Sequence, residues 1–239
     1  MDALAANFSV DADDDCCCEY PDLIFNVKHL YDSINFDLGQ TYLNQFDQTF
    51  IPLDLYFHIS DVALLRDDQW FTVDDRISLT TGQVQTFEEP DDVTIFTRSG
   101  FRFAIGRFLN PGLYSKVRFS IGLNEPEMNV DVKDLDDGHP LDTASNNLWL
   151  QEEGYLKYFA QLVTDTTTRD TLNLISLASP SISIELSIEA VKERGDDLTI
   201  GLIIDYRHWF FNLDFLNDSD EMIREKIEDG IGNSLFVLD

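Results

Sequence analysis

Residues 53–64 read LDLYFHISDVAL, and this stretch decides the class of fold. Apolar side chains recur at every second position and lead into two more, at Leu53, Leu55, Phe57, Ile59, Val62 and Leu64. In an extended chain, a period of two places such side chains on one face and the residues between them on the other. The stretch therefore predicts a β-strand with one buried face, and His58 is predicted to lie on the exposed face.

The same alternation returns along the chain between clusters of Gly, Pro, Asn and Asp. It is found in residues 23–27, 93–105, 117–121, 155–163, 172–177, 182–188 and 198–204. Short strands separated by turn signals are typical of a sandwich or a barrel. The sequence predicts an all-β fold, a single immunoglobulin-like β-sandwich of roughly eight or nine antiparallel strands with a short C-terminal helix.

That helix is predicted over residues 219–236, where apolar residues recur three and four apart and so share one face. Ser219 is suited to be its N-cap, and Gly230 and Gly232 lower helix propensity in its last turn, which favours an early end. Residues 1–21 follow neither period. We predict a flexible lead-in there, followed by one domain over residues 22–239.

The chain of 239 residues carries 45 acidic residues against 16 Lys and Arg, for a formal net charge of -29. Binding to polyphosphate or to an anionic membrane depends on Lys and Arg, so this composition argues against nucleic acid and anionic lipid as partners. The acidic residues are spread along the chain, and 44% of all residues are hydrophobic. We interpret the charge as the outward-facing coat of a folded domain.

Local catalytic signatures are absent from the sequence. It contains no His-Glu-x-x-His, P-loop, Gly-x-Ser-x-Gly or Gly-x-Gly-x-x-Gly segment, so we predict that the protein is not an enzyme. A catalytic triad assembled from distant strands stays open as an alternative. No apolar run reaches the roughly 18 residues that span a bilayer, so no transmembrane segment is predicted. The first ten residues lack the features of a signal peptide.

The four histidines do not have the spacing of a helical metal site. His29 ends the first strand, and its parity with Phe25 and Val27 directs it to the interior or the rim, where a hydrogen-bonded structural role is the alternative to a ligand role. His139 lies in an acidic loop and is predicted to be at the surface. His208 belongs to an aromatic cluster and is predicted to pack.

Two segments have the composition of a metal site. Cys16, Cys17 and Cys18 are adjacent, so they are poorly placed to surround one ion or to form a disulfide framework. We interpret them as part of a tether with incidental or lipid-linked chemistry. The acidic residues of 131–137 suggest calcium, because hard cations take clustered carboxylates, although the EF-hand order is missing. A solvated loop is the interpretation that we favour there.

Three segments, taken together, resemble the MbnP-like family of exported or lipid-anchored bacterial proteins. Residues 50–64 are similar to a family stretch in which aromatic residues precede Ile-Ser-Asn, with Asp61 in place of the Asn. Residues 111–124 keep the family's Gly-x-Tyr and Phe-x-Ile-Gly spacing, and residues 140–159 resemble its Trp and Gly-Tyr block. The C-terminal helix fits as well, so the resemblance covers about residues 23–237.

This resemblance implies a β-sandwich in the periplasm or at the cell surface, with a lipid anchor in the precursor. For some members it implies copper bound with the help of histidine, and a tryptophan oxidised by a partner di-haem peroxidase-like enzyme. On this sequence it assigns His29 as the metal residue and Trp149 as the cofactor-binding residue. The family's second histidine would fall in residues 172–178, where Ser176 stands, and Gln151 replaces a second tryptophan.

Three hypotheses about function follow from these observations. The leading one is an exported, non-enzymatic binding protein that binds a partner or a metal ion, with copper as the metal that the resemblance implies. The alternative is a structural or adhesion module of the cell surface, which uses its acidic exterior for solubility or for calcium. The third is an enzyme with a dispersed active site, which a deep pocket with converging polar groups would indicate.

The charge generates a prediction about salt. Self-repulsion of an acidic coat destabilises the folded chain, and salt screens that repulsion. We therefore expect the melting temperature to rise when NaCl is increased from about 0.05 M to about 1 M, as suits a protein from a saline setting. Thermal denaturation followed by circular dichroism at both salt concentrations checks this. A melting temperature that does not respond to NaCl would contradict it.

Overall fold

The structure, a computed structural model, describes residues 4–8, 18–81, 85–130, 135, 138–144, 146–165 and 169–238. The strands formed by these residues are β1 (Asp22–Tyr31), β2 (Ile34–Asn35), β3 (Tyr42–Leu43), β4 (Thr49–Arg66), β5 (Gln69–Thr72), β6 (Arg76–Thr81), β7 (Gln85–Pro90), β8 (Thr94–Thr97), β9 (Arg102–Arg107), β10 (Gly112–Ile121), β11 (Trp149–Leu150), β12 (Gly154–Asp165), β13 (Asp170–Leu177), β14 (Ile182–Lys192), β15 (Leu198–Asp205) and β16 (Leu235–Val237). The helices are α1 (Glu125–Met128), α2 (Arg207–Phe210) and α3 (Asp220–Ile231).

Two large sheets and one hairpin contain these strands. The nine-stranded sheet runs β11-β12-β4-β10-β14, with β13 beside β12 and with β3, β5 and β8 beside β4. The five-stranded sheet runs β16-β15-β1-β2, with β9 beside β1, while β6 and β7 pair with each other. This is an all-β sandwich with a short C-terminal helix, so the predicted fold class is confirmed.

The main core lies between the two large sheets. Phe25 of β1 contacts Phe119 of β10 and Phe96 of β8, with ring centroids 5.6 and 6.2 Å apart. These rings are buried in one cluster together with Phe57 of β4 and Leu202 of β15. Burial of one such side chain stabilises the fold by about 1.5–3 kcal/mol, so the layer between the sheets supplies much of the driving force for folding.

One pairing in the five-stranded sheet is parallel, whereas the sequence predicted antiparallel strands. β1 and β15 pair from Leu23 opposite Leu198 to Leu30 opposite Asp205. A parallel pair cannot be closed by a short hairpin. Here all strands of the nine-stranded sheet lie between β1 and β15 in the sequence. The sheet therefore joins the two ends of the domain.

β4 changes the orientation of its side chains part-way along. Asp61 has a φ of 54°, and the pairing with β10 shifts between Arg118 and Ser120, so that two residues of β4 lie opposite one of β10. This irregularity is a β-bulge, and Asp adopts the left-handed conformation more readily than a β-branched residue does. Because of the bulge, both Ile59 and Val62 are buried in the core.

The outer face of the nine-stranded sheet is also covered at one end. A second cluster of buried apolar residues packs there and consists of Leu79, Val93, Leu123, Val130, Leu141, Tyr155 and Ala178. α1 lies nearby, and Asn124 and Glu127 cap its first turn reciprocally. His58 lies beneath this cover and is fully buried, so the prediction that it is exposed is wrong. Alternation marks two faces of a strand, but it does not show that a second layer covers the polar face.

α3 confirms the predicted start of the C-terminal helix. Ser219 is the N-cap, and its hydroxyl oxygen accepts a hydrogen bond from Met222 N at 3.3 Å. The buried face of α3 consists of Ile223, Ile227 and Ile231. The helix ends before Gly232, and Leu235, which was predicted to be helical, pairs with Ile204 in the sheet instead.

Gly230 allows α2 and α3 to approach each other closely. A Cβ atom at this position would collide with the carbonyl oxygen of His208. Gly230→Ala should therefore destabilise the fold by about 1–3 kcal/mol through overpacking. The gain of about 1 kcal/mol in helix propensity offsets only part of this. Urea denaturation measures the change in the free energy of unfolding.

Gly232→Ala is the matched control. A Cβ atom at Gly232 would meet no described atom within 4 Å, and φ there is -58°, which alanine adopts freely. We expect its free energy of unfolding to change by at most about 1 kcal/mol, in the stabilising direction. Equal stabilities of the two variants would contradict the role of Gly230 in packing.

Candidate functional site

His29, the predicted metal residue, lies near the end of β1 and is only 6% exposed. Its Nδ1 lies 2.9 Å from the hydroxyl oxygen of Tyr206, and its Nε2 lies 2.7 Å from the carbonyl oxygen of Gly100. Because a carbonyl can only accept, Nε2 carries the proton and donates to Gly100, and Nδ1 accepts from the Tyr206 hydroxyl. Both ring nitrogens are thus bonded to groups of the same chain.

The surroundings of His29 favour the neutral ring. Burial is the main cause that lowers the pKa of His29 to about 4; the hydrogen bond to Gly100 opposes this effect, and the positive charge of Arg98 adds to it. Arg98 pairs with Asp37, with 2.5 Å between Nη2 and Oδ1. Burial also raises the pKa of Tyr206 far above its usual range, so its hydroxyl stays protonated and can donate.

Trp149, the other predicted site residue, lies in a different part of the fold. It pairs with Tyr155 of β12 and is half-buried against the second cluster. The ring of His29 instead stacks on Tyr206, with centroids 5.7 Å apart, and Tyr206 belongs to the core between the sheets. The structure therefore places the two predicted residues against separate clusters.

Ser176 occupies the region where the family resemblance places a second histidine. It lies in β13, is 4% exposed, and its hydroxyl donates to Glu228 Oε1 of α3. Lys157 of β12 pairs with the same carboxylate, with 3.4 Å between Nζ and Glu228 Oε2. These groups attach α3 to the nine-stranded sheet, so position 176 has a structural role here.

His58 forms a second buried network, which the sequence did not indicate. Its Nδ1 lies 2.7 Å from the carbonyl oxygen of Leu156 and donates to it, so Nε2 accepts from Asn146 Nδ2 at 3.2 Å. Asn146 Oδ1 in turn accepts from Leu148 N at 2.6 Å. Burial lowers the pKa of His58 to about 4. This histidine holds the segment that leads into β11.

The remaining two histidines differ from their predicted environments. His139 was predicted at the surface, but its side chain is only 10% exposed, and its Nε2 lies 3.0 Å from Asp91 Oδ1. His208 was predicted to pack, but it is exposed, and its ring centroid lies 6.1 Å from that of Phe236. Neither environment follows from the local sequence, because both depend on distant segments.

Two buried carboxyl groups line a cavity of about 190 Å³ beside α1. Asp92 and Glu127 are each 2% exposed, and Asp61, Glu89 and Arg118 also line the cavity. Burial is the main cause that raises the pKa of Asp92 to about 7 and that of Glu127 to about 8, and the charge of Asp61 adds to both shifts. Near neutral pH Glu127 is therefore mostly protonated and Asp92 about half protonated, because the neutral form is less costly to bury.

Comparison with known proteins identifies the family. A sequence model described as MbnP matches residues 20–225, which is most of the chain.

The chain belongs to the MbnP family.

Among solved structures, MbnP from Methylosinus trichosporium matches with 12% sequence identity and a TM-score of 0.49. The alignment covers 92% of this chain and 100% of that chain. No curated protein matches.

The residues that MbnP resemblance assigns to copper do not fit a copper site in this chain. An imidazole binds copper through a free nitrogen lone pair, and the only such lone pair of the neutral His29 ring accepts from Tyr206. Ser176 stands in place of the second histidine and bonds to Glu228. Throughout the described ranges, no group of three or more His, Cys, Asp or Glu side chains is placed to hold a metal ion.

Some predictions for this MbnP-family chain concern residues that the structure does not describe. These are the calcium alternative at Asp131, Asp134, Asp136 and Asp137, and the tether interpretation of Cys16 and Cys17. Within the predicted lead-in, Ala6 N donates to Glu19 O at 2.7 Å, and Ala5 is buried. Among the helices in the described part of the chain, none is long and apolar enough to cross a membrane.

The raised pKa values predict a loss of stability at alkaline pH. In the unfolded chain, Asp92 and Glu127 ionise near pH 4, whereas in the folded chain they keep their protons up to about pH 7 and 8. Their contribution is complete below about pH 4 and is lost as the pH rises through 7 and 8, on the order of a few kcal/mol. Urea denaturation between about pH 6 and about pH 9 measures this loss.

Asp92→Asn combined with Glu127→Gln should flatten this alkaline decline, because the amides do not titrate. The lowered pKa values of His29 and His58 give stability that is present above about pH 6.5 and is lost as the pH falls toward 4. In the double variant this acid-side loss should be steeper than in the wild type, because the two carboxyl groups no longer offset it by taking up protons. A double variant that keeps the alkaline slope of the wild type would show that other groups cause it.

Proposed function

We propose that this chain is an exported, non-catalytic binding protein of the MbnP family in which His29 stabilises the fold instead of binding copper. One observation carries the proposal: Nδ1 of His29 is engaged with Tyr206 and Nε2 with Gly100 inside a buried site. A location outside the cytoplasm is what the family resemblance implies. The lack of local catalytic signatures in the sequence supports a binding role.

Copper on His29 would break one of these two hydrogen bonds in a buried place. A donor or acceptor that is left there without a partner costs about 1–3 kcal/mol. Arg98 also disfavours copper at His29, because the positive charge that lowers the pKa of His29 repels a cation. A single imidazole is a weak holder of copper unless further ligands converge on the ion, and Ser176 is instead bonded to Glu228.

The proposal gives Trp149 a packing role. Its half-buried ring lies against the second cluster, and its backbone pairs with Tyr155 at the edge of the nine-stranded sheet. His29 packs on Tyr206 of the core between the sheets, whereas Trp149 packs against the second cluster. His29 and Trp149 therefore do not share a copper site. A di-haem partner that oxidises Trp149 is therefore not required for the function that we propose.

Copper titration tests this proposal. Cys16, Cys17 and Cys18 are first replaced by serine, because thiolates bind copper independently of His29. We expect no stoichiometric Cu(II) site that depends on His29. Electron paramagnetic resonance spectra recorded after adding one equivalent of Cu(II) should therefore be the same with and without His29→Gln.

His208→Gln is the matched control, because its imidazole is exposed and can take up weakly bound Cu(II). Thermal denaturation of each variant establishes that it is folded at the temperature of the titration. A one-equivalent Cu(II) signal with nitrogen coupling that disappears in His29→Gln but persists in His208→Gln would overturn the proposal.

A further inference from the structure

A cavity of about 480 Å³ lies between α2 and the C-terminal half of α3. It differs from the acidic cavity beside α1 in the charge of its walls. Its lining includes Arg207, His208, Asn212, Lys226 and Asp229. Two cationic side chains and an imidazole thus meet one carboxylate, in a chain that has 45 acidic residues and 16 Lys and Arg.

Arg207 is the cationic group best placed to bind a ligand. Its guanidinium carbon lies 3.9 Å from the centroid of the Phe211 ring, which also lines the cavity. Stacking on an aromatic ring leaves the N–H groups at the edge of a guanidinium free to donate. In the part of the chain that is described, the Arg207 side chain forms no ion pair. A planar guanidinium matches the two oxygens of a carboxylate.

The other two charged side chains of the cavity, Lys226 and Asp229, contribute less to the binding of an anion than Arg207 does. Lys226 is already paired, with 2.5 Å between its Nζ and Asp218 Oδ2. Asp229 is the one carboxylate among the lining residues and repels an anion. Binding of an anion would therefore depend mainly on Arg207, with Lys226 as a weaker contribution.

The walls of the cavity are held in place by contacts beneath them. Trp209 Nε1 donates to Ser234 Oγ at 2.9 Å and so ties α2 to the segment after α3. The backbone N of Arg207 donates to Asp205 Oδ1 at 2.9 Å. Gly230 permits the close approach of α3 to the backbone of α2. A site that is formed before binding loses little ordering entropy when a ligand enters.

An apolar side chain flanks the polar end of the cavity. Phe236 is 45% exposed, and its ring centroid lies 6.1 Å from that of His208, which lines the cavity. Phe211 forms part of the cavity wall. The combination of one guanidinium with apolar rings fits a ligand that has an anionic group at one end and an apolar body.

We propose that the cavity between α2 and α3 binds a small organic carboxylate with an apolar body, and that Arg207 pairs with the carboxylate. The proposal rests on the binding role proposed above, but it does not depend on whether His29 binds copper. The two experiments use different variants and probes, so either can fail without the other. It also assigns a function to a surface for which the family resemblance implied none.

Isothermal titration with benzoate at low salt tests this proposal. We expect saturable binding with one site per chain, which weakens about tenfold in Arg207→Gln, the loss expected for a charge-assisted hydrogen-bonded pair. Arg207→Lys should fall between the two, because it keeps the charge but loses the planar fork. Benzyl alcohol, which has the same ring without the charge, should not bind measurably.

Arg118→Gln is the matched control. Arg118 is exposed and stacks on Trp70, with 4.4 Å between its guanidinium carbon and the ring centroid, but it lines the acidic cavity. Its replacement should leave benzoate binding unchanged. Inorganic phosphate serves as a second probe and should bind more weakly than benzoate, because it lacks the apolar body.

Three results would overturn the proposal: no saturable benzoate binding by the wild type, equal losses in Arg207→Gln and Arg118→Gln, or equal binding of benzyl alcohol. Phosphate binding stronger than benzoate binding would replace the carboxylate by a phosphate as the ligand class and would also count against it. Should Arg207→Gln not fold, as judged by its melting curve, Arg207→Lys supplies the comparison with Arg118→Gln.

Discussion

The burial of β4 on both faces is the constraint on which the rest of the structure depends. This strand pairs with β3, β5, β8, β10 and β12, and its residues 57–60 are buried on both faces of the sheet. One face enters the core through Phe57, and the other carries His58 and Ser60 beneath the second cluster. Buried polar groups must be satisfied, and both side chains donate to backbone carbonyls, those of Leu156 and Gly122.

The requirement that buried polar groups be hydrogen-bonded also explains the structural role of His29 and His58. His29 and His58 each donate from one nitrogen to a carbonyl and accept at the other, so each is held as a single neutral tautomer. Burial penalises the protonated ring, which keeps the pKa values low. A metal ligand needs the lone pair that these partners occupy. Membership of the MbnP family thus fixes the sandwich, while the partners of individual side chains decide whether a family role persists.

The distribution of charge follows from the cost of burial. Among the described residues, the buried carboxyl groups Asp92 and Glu127 have raised pKa values, and the half-buried Glu228 is paired with Lys157. The cationic cavity at α2 and α3 stands out against this background. Its capacity to bind an anion depends on a few fixed side chains at short range, since at physiological salt the long-range field of the acidic coat is screened.

The sequence by itself determined the local features of this protein. Alternation in residues 53–64 indicated strands, and Ser219 marked the start of α3, because both signals depend on neighbours along the chain. The capping box of α1 is local in the same sense, because Asn124 and Glu127 are three residues apart. Only the tertiary structure decided the parallel pairing of β1 with β15, the burial of His58 and the position of Arg207 over its cavity. These features join segments that are distant in sequence, and no local period encodes which segments meet.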